Sequence, residues 1–286
     1  MQLISPCTYQ GGKQRLAAQI VSHLLSLPIT EETQFYDLCC GSGAVTLALI
    51  QQGIHPKNIH MVDSGGFGWF WETLAHGSFD IKIFKEELDK LPSIDKIQKY
   101  LQELSLQPIH KTLGVYHYLM LQAGAFGGKQ IGIKNSYWTN TSFRNYWLPT
   151  PTSNRRSPVN PMMPLPTTLY ERVDRLVHFF EDKQLHAYYM SIDTFITEIG
   201  FKTDCIIYMD PPYQNTTRYE NKVDYIAFLN TYRNQYPIFI SEGIPLADME
   251  SYLLSTSRKK GNISGAIKKA STLEYLNKSI PNLFMN

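Results

Sequence analysis

The apolar positions along the chain follow two periods. After Gly11-Gly12-Lys13, the residues Leu16, Ala17, Ile20, Val21, Leu24 and Leu25 recur every three or four positions, which predicts an amphipathic helix that Pro28 stops. Gln34 to Cys40 reads as a buried strand, Gly41-Ser42-Gly43 as a tight turn, Ala44 to Gln51 as a helix, and Ile59 to Val62 as a short strand ending at Asp63. Strand, turn, helix and strand in that order make a βαβ unit, the start of a parallel α/β sheet. Residues 93–125 read as mostly helical, with Leu113, Tyr116, Leu119 and Met120 on one face. From Gly127 to Pro166 all periodicity breaks in a stretch dense in Gly, Asn, Ser, Thr and Pro. A loop of that length inside a compact chain usually carries function. Helical spacing resumes at Leu169, Val173, Leu176, Val177 and Phe180. Strands are expected at His186 to Met190, Cys205 to Met209 and Pro237 to Ser241, with a helix from about Val223 to Asn234. The pattern therefore predicts one α/β sheet domain, residues 1–92 and 167–286, with helices on both faces. A mostly helical and loop-rich module, residues 93–166, is inserted into it.

Composition changes this picture only in places. With 43% hydrophobic and 18% charged residues the chain reads as globular. No apolar run approaches the roughly 18–20 residues of a membrane span. The first residues lack a basic stretch followed by an apolar one, so a secretory leader is not expected and the expected location is cytoplasmic. Cys7, Cys39, Cys40 and Cys205 form no Cys-x-x-Cys pair and have no accompanying His cluster, so reduced, buried thiols are expected, and no metal. The net charge of +2 is unevenly spread. Between Glu103 and Glu171 there is no acid, while Lys111, Lys129, Lys134, Arg144, Arg155 and Arg156 lie there among Tyr137, Trp138, Phe143, Tyr146 and Trp147. A one-sign, aromatic-rich segment suits a polyanion: basic groups neutralise phosphates, and Arg or Asn reads base edges. For Trp138 and Trp147 an aromatic mini-core is an equal alternative.

The strongest chemical signal is Asp210-Pro211-Pro212-Tyr213, placed directly after the apolar strand Cys205 to Met209. Ligands bind at the carboxyl ends of strands in open α/β sheets. Two prolines fix two φ angles and remove two N–H donors, so the segment holds its side chains and carbonyls rigidly. An exocyclic base amine has two N–H groups, which the Asp210 carboxylate and the Pro211 carbonyl can accept, while Tyr213 can stack on the base. The alternative for four such residues alone is a rigid turn with a capping Asp. Three further segments bear on a ligand. Gly11 and Gly12 of Tyr9-Gln10-Gly11-Gly12-Lys13 permit close backbone approach, and Lys13 can engage a carboxylate or neighbouring backbone. Asp37-Leu38-Cys39-Cys40-Gly41-Ser42-Gly43 supplies a glycine turn. A dinucleotide fingerprint would need a third glycine where Thr46 stands. Asp63 can accept from both hydroxyls of a ribose or cap a helix.

Taken in order, these segments resemble the Dam-like DNA adenine methyltransferases of the alpha group, in which the cofactor motifs precede the target-recognition insert and the catalytic motif follows it. The resemblance runs from Tyr9 to about Glu242 and implies a Rossmann-like methyltransferase sheet, S-adenosylmethionine as cofactor, and transfer of its methyl group to N6 of a flipped adenine in double-stranded DNA. It implies that Asp210, Pro211, Pro212 and Tyr213 form the catalytic motif. Tyr9, Gly12, Lys13, Asp37, Gly41, Gly43, Asp63 and Asp193 are implied to hold the cofactor, with Asp193 of Asp193-Thr194-Phe195 on its adenine amine. Thr217 and Tyr219 join Lys129, Lys134, Arg144, Arg155 and Arg156 as expected DNA contacts. A cognate restriction enzyme would be an optional companion of a monomer or weak dimer. The sequence departs from the family where Cys39 or Cys40 replaces a common aromatic and where Gly243 follows Ser241-Glu242. The alternatives are a cytosine-N4 or RNA adenine methyltransferase, or an inactive DNA-binding module.

Overall fold

The computed structural model describes residues 2–211, 224–258 and 271–281. Pro212, Tyr213, Thr217 and Tyr219 lie outside the described residues, as do the basic tail residues Lys259, Lys260, Lys268 and Lys269.

The expected βαβ opening is present. Helix α1 (Ala17–Leu24) buries Ala17, Ile20, Val21 and Leu24 and leads to β1 (Gln34–Leu38), α2 (Ala44–Gln51) and β2 (Ile59–Val62). Then follow α3 (Gly66–Ala75), α4 (Ile81–Asp89), α5 (Ile97–Ser105), α6 (Gly114–Gly124), the hairpin β3 (Gly132–Lys134) and β4 (Tyr137–Thr139), and α7 (Pro166–Phe180). The chain ends with β5 (His186–Tyr188), α8 (Ile192–Glu198), β6 (Cys205–Met209), α9 (Tyr225–Tyr232), β7 (Ile238–Glu242), β8 (Glu250–Arg258) and β9 (Ser271–Ser279).

Seven strands form one sheet in the order β5-β2-β1-β6-β7-β9-β8. β5, β2, β1, β6 and β7 run parallel, and β9 is antiparallel to both β7 and β8. Every residue of β1, β2, β6 and β7 is buried, as parallel strands covered on both faces require. Successive side chains alternate between two cores. Phe35, Ile59, Met61, Ile206, Tyr208 and Phe239 join the core beneath α1, α2, α3, α6 and α7. Tyr36, Leu38, Val62, Ile207, Met209 and Ile240 join the smaller core beneath α8 and α9. Each fully buried Leu, Ile or Phe contributes about 1.5–3 kcal/mol of transfer free energy. This is a Rossmann-like, mostly parallel sheet with helices on both faces, as expected.

Three segments differ from the sequence expectation. The glycine-rich stretch Ser64 to Trp69, for which the apolar pattern predicts no element, is not a loop: α3 begins at Gly66. A Cβ on Gly66 would collide with the Tyr118 ring, and one on Gly68 with the Asp63 carbonyl, so these glycines let α3 start hard against the end of β2 and against α6. The stretch 127–166, read as irregular, holds β3 and β4. Finally, β8 and β9 form a long hairpin that the apolar pattern did not predict. Buried Asn277 fastens it: its Oδ1 accepts from the Leu246 N–H and the Ser251 hydroxyl, and its Nδ2 donates to the carbonyls of Ile240 and Ile244. Residues 93–166 share the larger core, to which α5 gives Ile97 and Leu101 and α6 gives Val115, Tyr118 and Leu119.

Candidate active site

The strand order reverses beside β1. From it the chain builds outward through β2 and β5 on one side and through β6 and β7 on the other. The carboxyl ends of β1 and β6 meet at this switch point, in register at Leu38 and Met209, where open α/β sheets bind ligands. Asp210 follows β6, and its N–H donates to the Leu38 carbonyl at 3.2 Å. The chain after β1 turns through Cys39, Gly41 and Gly43, all at positive φ (62°, 49° and 74°). For Cys39 that conformation costs about 1–3 kcal/mol, and such strain concentrates where a site over-determines the backbone. A side chain at Gly43 would strike Trp71, and one at Gly41 would come within 3.2 Å of the Tyr9 ring. Trp71 Nε1 donates to the Gly41 carbonyl at 2.9 Å and fixes the turn from below.

Three acids of the sequence reading surround this turn, each in a different state. Asp37 Oδ2 accepts from the Thr46 N–H at 3.2 Å and from its hydroxyl at 2.7 Å, so Asp37 caps the start of α2. Burial pushes its carboxyl up to about 7, against the pull of those hydrogen bonds. Asp63 ties two loops together: Oδ2 accepts from the Gly41 N–H at 2.9 Å and Oδ1 from the Gly65 N–H at 2.7 Å. Burial raises its pKa while the two N–H groups oppose the rise. Each Asp63 oxygen retains acceptor capacity beyond its one backbone bond. Asp210 is 16% exposed and pairs through Oδ2 with Lys13 Nζ at 2.6 Å. Burial lifts Asp210 to about 6, with Lys13 pulling the other way.

The segment 9–13 lies across these strand ends. The Tyr9 ring meets Phe67 edge to face at 5.4 Å, and the Gly12 N–H donates to the Tyr9 carbonyl. The Gln10 N–H donates to Gly128 at 2.6 Å, which joins this segment to the insert. Lys13 was expected on a cofactor carboxylate or on neighbouring backbone, and the second is what the Gly11 contact provides. In the structure its ammonium contacts Asp210, Glu274 Oε1 at 3.2 Å and the Gly11 carbonyl at 3.0 Å. Burial opposes its charge, but the two carboxylates hold its pKa above the ordinary lysine value.

The structure thus brings together Tyr9, Gly12, Lys13, Asp37, Gly41, Gly43, Asp63, Asp210 and the buried Pro211. Asp193 stands apart: it is exposed in the first turn of α8, which Ser191 caps through the Thr194 N–H. Phe195 is buried against Tyr36 and Tyr188. Sequence reasoning missed Glu274 altogether, since no motif marks it. It also gave no role to Tyr208, whose hydroxyl meets Ser241 Oγ at 2.9 Å. Glu242, at the end of β7, receives the Gly243 N–H on Oε1, while Oε2 is buried without a hydrogen-bond partner among the described residues. The Tyr225 hydroxyl adjoins it. Burial and then the Glu242 charge push Tyr225 up to about 12. Among the described residues no group of acids, histidines and cysteines could hold a metal ion, and no helix is long and apolar enough to cross a membrane.

The basic residues of the insert are arranged differently. Lys134 is exposed at the end of β3, and Lys129 is half-buried after Gly128. Arg144 Nε donates to the Ala125 carbonyl at 3.2 Å, and burial lowers its pKa. Arg155 donates to the carbonyls of Ser157 and Pro158, and Arg156 to that of Pro151, both from exposed positions. Trp138 is 6% exposed and packs with Tyr118, whereas Trp147 is 38% exposed. The aromatic residues therefore divide between core and surface.

The chain matches no protein-family model and no curated protein sequence. Among solved structures it is similar to two of an rRNA methyltransferase, aviRa, from Streptomyces viridochromogenes. One is 14% identical with a TM-score of 0.39, covering 94% of this chain and 85% of the other. The second is 15% identical with the same TM-score, covering 95% and 86%. The functional reading accordingly rests on the site itself.

Proposed function

We propose that the protein transfers the methyl group of S-adenosylmethionine to the N6 amine of an adenine flipped out of double-stranded DNA. The observation that carries this reading is Asp210: a carboxylate fixed at the end of β6, beside the glycine turn of β1, with one oxygen engaged by Lys13. The strand ends suit such a cofactor. Asp63 has lone pairs left for a ribose, and the positive-φ turn at Cys39, Gly41 and Gly43 curves backbone away from the sheet between Asp63 and Asp210. Tyr9 and Gly12 border that turn, and Asp193 lies farther along, past the end of β5. Bound there, the cofactor supplies an electrophilic methyl group on a sulfonium.

The chain's own groups then position and polarise the acceptor. Asp210 Oδ1 and the Pro211 carbonyl would accept the two N–H bonds of the amine, which favours a pyramidal nitrogen whose lone pair takes the methyl carbon as the carbon–sulfur bond breaks, and the nitrogen's surplus proton would leave through Asp210 Oδ1 to water. Tyr213, by its place in the motif, is the ring that stacks on the base. Catalysis of this kind is positioning plus preorganised acceptors, with no covalent enzyme intermediate. The base must leave the duplex to reach these groups. Lys129, Lys134, Arg155 and Arg156 are the phosphate-binding groups of this reading. Arg144, turned onto Ala125, shapes the loop that carries them.

The test is to incubate the chain with S-adenosylmethionine and unmethylated DNA or RNA, digest to nucleosides and identify the products by mass spectrometry, beside Asp210→Ala. N6-methyldeoxyadenosine from the wild type alone is the expected result. N4-methyldeoxycytidine, or product from RNA only, would overturn the substrate assignment. Activity retained by Asp210→Ala would overturn the role of Asp210.

A further inference from the structure

Lys13 is held by acceptors from three parts of the chain: Asp210 after β6, Glu274 on β9, and the Gly11 carbonyl. An ammonium has three N–H donors, and this set can engage all three. Only 6% of the Lys13 side chain is exposed, so water competes little for it. Glu274 reaches this place through sheet topology. The antiparallel pairing of Glu242 with Tyr275 carries residue 274 just past the carboxyl ends of the parallel strands, and Asn277 anchors the hairpin three residues farther on. Asp210 gives Oδ2 to Lys13, and its Oδ1 accepts no hydrogen bond among the described residues.

We propose that Glu274 is a positioning residue for methyl transfer: by sharing Lys13 with Asp210 it pins the ammonium on Oδ2 and leaves Oδ1 open to the substrate amine. The proposal rests on the reading of Asp210 as the acceptor of that amine. Without Glu274, the attraction between Lys13 and Asp210 is undivided. The ammonium then settles across both oxygens and the carboxylate becomes a poorer acceptor. Among the described residues, the charged and titratable groups facing Asp210 are Lys13 from the N-terminal segment, Glu274 from β9, Glu242 from β7, Asp37 from β1, and the Cys39 thiol and Tyr208 phenol, which burial keeps neutral. Of these, Lys13 favours the ionised carboxylate, and Glu274 and Glu242 oppose it.

The experiment follows Asp210 directly in the full chain. With 13C-labelled aspartate, the Cγ resonance that disappears in Asp210→Asn is titrated in wild type and in Glu274→Gln. Removing a like charge while freeing Lys13 for Asp210 should lower the midpoint by about half a unit to one unit. In the same variant kcat should fall by about 10- to 100-fold with little change in KM for the methyl donor. The acid limb of the rate profile should move down with the midpoint. Glu274→Asp, which keeps the charge but retracts it, should lie between the two. A Glu274→Gln protein that melts lower but keeps the wild-type midpoint and profile would show a purely structural role and overturn the proposal. Should Glu274→Gln fail to fold, Glu274→Asp decides, and an unmoved midpoint overturns it. A wild-type chain that methylates nothing, with the midpoint still moving, would sink the methyltransferase reading and uphold the sharing of Lys13.

Discussion

Charge is handled in opposite ways at the two ends of this molecule's surface chemistry. At the switch point Asp37, Asp63, Asp210 and Lys13 are each held by at least one group nine or more residues away, and burial or a buried ionic partner moves every one of their pKa values. In the insert Arg155 and Arg156 are exposed and, among the described residues, bonded only to carbonyls within five residues of themselves. The first arrangement makes groups whose position and protonation are fixed before a ligand arrives. The second leaves charge that can be redirected at little cost, since an exposed hydrogen bond is readily exchanged for one to a phosphate oxygen. Rigid acceptors suit bond-making, and adaptable donors suit a long polyanion.

The sharpest way to break this contrast is at Asp210. Asn keeps the shape but removes the charge, so Asp210→Asn should lower turnover by about 10²- to 10⁴-fold while methyl-donor binding, read by calorimetry, stays within a few-fold. The wild type should also show a pH limb. Because the carboxyl titrates at about 6, the accepting ionised form dominates only above that value, and kcat/KM should rise through pH 6 and then level. A flat profile from pH 5 to 8 would remove Asp210 from that role.

Next in size is a glycine that serves packing instead of a ligand. Gly68→Ala places a methyl group against the Asp63 backbone, and overpacking of this kind costs about 1–3 kcal/mol. Asp63 must shift to relieve it, so donor affinity should fall along with stability. Loss of stability in a urea melt with unchanged donor affinity would detach Asp63 from the site.

In the insert the effects should be smaller and of another kind. Arg155→Ala with Arg156→Ala should leave the melting temperature unchanged and weaken DNA binding. The slope of log K against log salt should shrink by about 0.9 for each phosphate that the protein no longer neutralises. Arg144→Ala should do the reverse, lowering stability by removing the half-buried guanidinium from the Ala125 carbonyl, which then keeps the Gly128 N–H alone, and changing the salt slope little. The same salt slope in the double variant as in wild type would take Arg155 and Arg156 out of the interface.

What the sequence made legible follows the same division. The parallel strands were readable because burial on both faces leaves continuous apolar runs such as Cys205 to Met209, and Asp63 and Asp210 because each follows such a run, with Asp37 one residue before the end of β1. Glycine was ambiguous. Gly41 and Gly43 were identified as a turn, but the same residue type at Gly66 and Gly68 records the approach of a helix to Tyr118 and to a strand end, which only the fold reveals. The β8–β9 hairpin was missed because its strands carry polar residues at many positions, and one of its anchors is a buried Asn. With the hairpin went Glu274, whose partner Lys13 lies 261 positions away and shares no motif with it. Trp138 and Trp147 look alike in sequence, and only packing separates them.

A pH-dependent test shows how far the buried carboxylates depend on one another. Asp37 is raised to about 7 from an ordinary value of 3.8, so its contribution to stability is complete below about pH 4 and is lost as pH rises through 7. Asp37→Asn remains neutral throughout and can still accept from Thr46. Its stability relative to wild type should therefore improve between pH 4 and 7 and stay level above, which urea melts at pH 4, 6 and 8 would show. A difference that does not vary with pH would mean that Asp37 is ionised in the fold at no cost. Part of the rise comes from the neighbouring charges of Asp210 and Asp63. Made in an Asp210→Asn background, the substitution should show a smaller pH-dependent gain, because one of the charges that disfavours the ionised form is already gone. An equal gain in both backgrounds would mean that the switch point holds two independent acids, with Asp210 taking no part in the protonation of Asp37.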